Sequence, residues 1–220
     1  MSYMFAHCKS LIEVDLSSFN TQNVKDMYEM FCACKSLVIV DLSLFNTKNV
    51  ENMGNMFFDC SKLIKADLSS FNTQNITNVY GMFEGCESLA EIDLSSFKIQ
   101  NVTDISLIFK GCKSLIKADL SSLNTQNVRD VYGMFKDCEN LIKIDLSSLN
   151  TQNVEDMHNM FYGCRSLIKV DLSSFNTQNV ADTSSMFRDC ESLVKINRKC
   201  FHKIRKDLKV KESKLYIIEV

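Results

Sequence analysis

"DLSSFNTQNV" occupies residues 15–24 and returns letter for letter at residues 171–180. Near-copies begin at Asp41, Asp67, Asp93, Asp119 and Asp145, each 26 residues after the last. Self-similarity at a fixed period of about 20 to 50 residues marks a solenoid or repeat array. The register also holds outside the phrase. Cys8, Cys34, Cys60, Cys86, Cys112, Cys138, Cys164 and Cys190 are each 26 apart, and the leucines from Leu11 to Leu193 keep the same step. Strict spacing matters because a stacked repeat buries its apolar side only against its two neighbours.

One unit runs from residue 11 to residue 36. Val14 and Leu16 share one face, while Glu13, Asp15 and Ser17 share the other. This period of two predicts a short strand around residues 12–16. "NTQN" then supplies turn formers. Val24, Met27, Phe31 and Cys34 follow at steps of three and four, the spacing of a helical face. Thr21, Asn23 and Asp26 are candidate caps for a helix of one or two turns. The expected fold is an α/β repeat of about eight 26-residue rungs, with a parallel sheet on one side and short helices on the other.

Composition fits an ordered chain, with 45% hydrophobic and 24% charged residues. The net charge of −2 hides a split. Residues 198–214 hold eight Lys or Arg against two acids, a local +6, which leaves the remainder at −8. No apolar run approaches the roughly 18 residues needed to span a membrane. The opening residues lack the basic and apolar regions of a signal peptide. Met4, Phe5 and Cys8 already match Met30, Phe31 and Cys34, so the chain is expected to start inside a repeat. Residues 1–197 read as the array. Residues 198–220 read as a basic capping segment, because Asn197 and Arg198 break the pattern and "KLYIIEV" offers a final strand for the open edge. A polyanion-binding arm is the rival reading, and no nucleic-acid partner is expected.

The pattern "LxxVDLSSFNTQNVxDMxxMFxxCxSL" resembles the repeat of BspA-like leucine-rich-repeat surface proteins, in the 26-residue variant found in mycoplasma-type lipoproteins of unknown function. The resemblance covers residues 4 to about 197. It implies a right-handed leucine-rich-repeat-like solenoid, displayed on the cell surface or secreted, that binds proteins or host matrix without enzymatic activity. A cytoplasmic scaffold or regulator of the leucine-rich-repeat kind is the alternative. The chain departs from an ordinary leucine-rich repeat by placing Phe19 and its equivalents where Asn or Cys is usual. The column Asn23, Asn49, Asn75, Asn101, Asn127, Asn153 and Asn179 is therefore expected to form the buried amide ladder. Burial would also close the sequons at Asn75 and Asn101 to glycosylation.

The cysteine column lies between apolar residues, so its thiols are expected to be buried and reduced. Cys32, off the column, is expected on an exposed helix face. The histidines His7, His158 and His202 fall at different repeat positions, and Cys200 with His202 is half a zinc site at most. No catalytic constellation, cofactor motif or metal site is expected.

The aspartates heading each phrase are expected to line the sheet face. Their bland role is to accept a hydrogen bond at the exit of each strand; a cation or basic-ligand track is the other reading. The first is favoured, because presence in every rung suits architecture better than a single site. The candidate interaction face comprises Glu13, Asp15, Asp41, Lys65, Asp67, Glu91, Asp93, Lys117, Asp119, Lys143, Asp145, Lys169 and Asp171. It is acidic in its first half and charge-balanced from Lys117 onward. The expected partner is a protein or glycan surface.

Overall fold

The computed structural model describes residues 1–198 and the segment Tyr216–Glu219. Strands β1 (Ile39–Asp41), β2 (Lys65–Asp67), β3 (Glu91–Asp93), β4 (Lys117–Asp119), β5 (Lys169–Leu172), β6 (Lys195–Arg198) and β7 (Tyr216–Glu219) follow one another along the chain. The strands pair in parallel as β1–β2, β3–β4 and β5–β6–β7, and between repeats the 26-residue offset is preserved: Val40 faces Ala66, Ile92 faces Ala118, and Val170 faces Ile196. Each three-residue strand buries its central residue and turns its flanks outward. Residues 12–16, where a strand is expected, are not a formal strand. Even so, Val38 N–H donates to Ile12 C=O at 3.2 Å and Ile168 N–H to Ile142 C=O at 3.0 Å, so the ladder extends across these rungs too.

The expected short helices are absent from the described residues. A ladder of tandem β-turns takes their place. Within one repeat, Met30 N–H bonds to Met27 C=O, Cys32 N–H to Glu29 C=O and Cys34 N–H to Phe31 C=O. The amides between them point out of the repeat: Glu29 N–H reaches Gly54 C=O at 3.0 Å, and Phe31 N–H reaches Met56 C=O at 2.9 Å. A helix would commit every one of these amides to its own i−4 carbonyl. Two positions per repeat also stand in the left-handed region, for example Asn55 and Asp59, Gly133 and Asp137, and Asn159 and Gly163. Asn, Asp and Gly tolerate that region, and a helix interior does not contain it. At Gly85 (φ +75°) a Cβ would also stand 3.2 Å from the Cα of Asp59 in the previous rung.

The core is a set of columns. Phe5, Phe31, Phe57, Phe83, Phe109, Phe135, Phe161 and Phe187 form one continuous stack, with ring centroids 5.3–5.9 Å apart. Column leucines such as Leu37, Leu63 and Leu89 are fully buried beside it. The cysteines among the described residues are free thiols, and the column members from Cys34 to Cys190 are buried, as the apolar register implies. Each Sγ donates to the Phe carbonyl of the previous rung, as Cys60 does to Phe31 and Cys112 to Phe83, at 3.0–3.2 Å over the whole column. Two positions differ from expectation. Cys8 is exposed, and Cys32 is buried because its segment lies against the next rung instead of projecting from a helix. Cys200 lies outside the described residues.

The buried polar ladder is threonine, not asparagine. Thr47 accepts from Asn72 N–H at 2.8 Å and donates to Asn72 C=O at 3.1 Å. Thr21, Thr125 and Thr151 make the same pair of bonds. One short hydroxyl thus satisfies both backbone groups of the next rung. The Asn23-type column is exposed. From Asn49 to Asn179 its amides still clamp rungs together from outside, as Asn75 Nδ2 does to Lys48 C=O at 2.8 Å. The sequon side chains of Asn75 and Asn101 are therefore at the surface, with their amides engaged.

Candidate binding face

The strands set the geometry of the outward columns. In each KAD or EID strand the middle residue packs inward, so the residues on either side of it share the solvent face. Glu13, Lys65, Glu91, Lys117, Lys143 and Lys169 form one column, and Asp15, Asp41, Asp67, Asp93, Asp119, Asp145 and Asp171 form the next; all are exposed or half-buried. The structure thus brings all thirteen expected residues onto one face. Parallel register puts Asp41 opposite Asp67 and Asp93 opposite Asp119.

Each of these aspartates accepts a hydrogen bond at its strand's exit. Oδ1 takes the N–H of the serine two residues on, at 2.8–3.1 Å in all seven copies. At Asp67 the Ser69 hydroxyl adds a second bond of 2.7 Å. The Ser69 hydroxyl and N–H, aided by the Lys65 charge, hold the Asp67 carboxyl below the usual carboxylate range. Ser121 and Lys117 do the same for Asp119.

The face is grooved. One trough of about 870 Å³ is lined by Lys117, Asp119, Lys143, Asp145, Lys169 and Asp171, with Ile116 at its margin. A second, of about 720 Å³, is lined by Lys65, Asp67, Glu91 and Asp93, and shares Lys117 and Asp119 with the first. The sequence reading missed the margin. Ile12, Ile64, Ile116, Ile142 and Ile168 are 45–62% exposed and form an aliphatic stripe beside the charged columns. The signal was present: each follows a column leucine directly, so the two cannot both face inward.

Side chains on the turn side also join neighbouring rungs. Lys25 pairs with Glu51 at 3.5 Å, Arg129 with Glu155 at 2.6 Å, and Thr77 Oγ1 donates to Glu51 C=O.

A family model described as "Mycoplasma protein of unknown function, DUF285" matches residues 1–115 and again 90–199. The chain belongs to this family. The resemblance read from the repeat is thereby borne out. No curated protein matches the chain. Among solved structures, it is similar to a leucine-rich-repeat protein of T. pallidum, at 20% identity over 79% of this chain and 84% of that one, with a TM-score of 0.42. It is also similar to a leucine-rich cell surface protein of Faecalibacterium prausnitzii, at 16% identity over 94% of this chain and 78% of that one, with a TM-score of 0.30. Among the described residues of this family member, no helix is long and apolar enough to cross a membrane.

Proposed function

We propose that the protein is a non-enzymatic protein- or glycan-binding module that uses its sheet face. The observation that carries this reading is the trough along β4 and β5, where carboxylates held by serine N–H groups and exposed lysines border an aliphatic margin. A protein surface offers all three complements: charges of both signs and an apolar anchor. The Asp–Ser bonds hold the carboxylates in place, which lowers the ordering cost of binding. The test uses the full chain and a Lys117→Glu/Lys143→Glu/Lys169→Glu variant, probed against immobilised matrix proteins and a glycan panel. Wild-type binding should be lost in the variant while its circular dichroism is unchanged. Equal binding by the variant, or no binding by the wild type, would overturn the reading.

The same reading treats residues 198–220 as a cap on the array. The parallel pairing of β7 on β6, Ile196 against Ile217, supports it. Deleting residues 198–220 should make the array aggregate or melt earlier, as an unpaired strand edge does. A truncated chain that stays soluble and equally stable would leave the segment as a separate arm.

A further inference from the structure

We infer that Asp156, His158 and Asp182 form a binding site for a divalent first-row transition metal such as zinc or cobalt. These residues lie apart from the sheet face, on the turn ladder. One ligand atom from each lies within 4.8 Å of the others. His158 Nδ1 stands 2.6 Å from Asp156 Oδ1. The imidazole is stacked on Tyr132, with centroids 4.0 Å apart and planes 17° from parallel, which fixes its orientation. Parallel bridges Asp130↔Asp156 and Asp156↔Asp182 hold the carboxylates in adjacent rungs.

The turn itself does not require carboxylates here. In this column the side-chain Oδ1 accepts the N–H two residues on: His158 to Asp156 at 2.8 Å, and Ser184 to Asp182 at 2.7 Å. Asn52 and Asn78 do the same work uncharged at the equivalent positions, at 3.0 and 2.9 Å. Four successive rungs nevertheless carry Asp104, Asp130, Asp156 and Asp182. Their mutual repulsion is a cost that a bound cation removes. Only one of these rungs places an imidazole beside two carboxylates. Imidazole with carboxylate is a donor set for first-row divalent ions, and three protein ligands with half-exposed surroundings leave a fourth position for water or a partner's group. Among the described residues, the spacing Asp-x-His plus an Asp one repeat later is the signal in the sequence. His158 converges with two carboxylates from neighbouring rungs, a grouping that the repeat positions of the histidines alone do not reveal.

The repeats themselves supply variants that preserve the fold. Asp182→Asn copies Asn52 and Asn78, and His158→Ser copies Ser106 and Ser184. Cobalt titration of the reduced full chain, followed by calorimetry and visible absorption, should show one equivalent bound with no thiolate charge-transfer band. His158→Ser and Asp182→Asn should each weaken binding by at least about tenfold. Unchanged affinity in both variants, a thiolate band, or no saturation of the wild type at millimolar cobalt would each overturn the site.

Discussion

Raising the pH above about 9 should unfold the array. Burial pushes the thiols of Cys86, Cys138 and Cys164 well above the ordinary value, and those of Cys60 and Cys112 likewise. Cys190 is pushed up to about 12 by the same desolvation. In the unfolded chain each thiol ionises near about 8.5. Between that value and the folded ones the native state holds protons that the unfolded state has released. Stability is therefore intact below the unfolded value and falls as pH rises toward the folded values. Each thiol contributes a slope approaching about 1.4 kcal/mol per pH unit, so six together approach about 8. Total stabilities are commonly about 5 to 15 kcal/mol, so one or two pH units should suffice. Urea midpoints measured under reducing conditions between about pH 7.5 and 10.5 test this. Cys112→Ala should flatten the slope by one thiol's share. A midpoint that does not move with pH would mean the column is not protonated and buried.

Phe83→Ala should cost about 3 to 5 kcal/mol. Phe83 is fully buried and lies between Phe57 and Phe109, at 5.5 and 5.9 Å. Its removal leaves a void that neither neighbour can fill, because each is held by its own rung's turn bonds. The cavity also interrupts the stack midway, leaving two shorter arrays in poorer contact. Phe5→Ala should cost less, since Phe5 is only half-buried and has a stacked ring, Phe31, on one side only, with Phe19 tilted against it at 6.3 Å. Equal losses at Phe5 and Phe83, by urea denaturation, would show that the stack does not carry the array's cohesion.

Which parts were legible follows from what each residue type can report. The Leu, Phe and Cys columns were readable because a strict 26-residue step leaves only stacking as an explanation. The outward aspartates were readable because strand alternation assigns faces without needing tertiary contacts. The turn ladder was not. Met27, Phe31 and Cys34 carry a spacing that a helix and a run of overlapping turns both produce. What separates them is the Gly, Asn and Asp at positions such as 55, 59, 81 and 85, which favour left-handed backbone. Leu107 and Glu29 at equivalent positions diluted that signal. Thr and Asn both offer ladder chemistry, and only depth decides between them: Thr47 and Thr73 are buried, whereas Asn49 and Asn75 are not. The grouping of Asp156, His158 and Asp182 was hidden because its third member comes from the next rung.

The bonds between rungs all join residues a fixed distance apart in the chain. Thr hydroxyls reach 25 residues on, Asn amides 27 back and Cys thiols 29 back, in rung after rung. A contact set of this kind has no address. Excising one whole unit, or copying it, returns every remaining residue to a neighbour it already knows how to bind. Extent is thus the cheapest property for this protein to change in evolution, since a longer or shorter version needs no new interface to be invented.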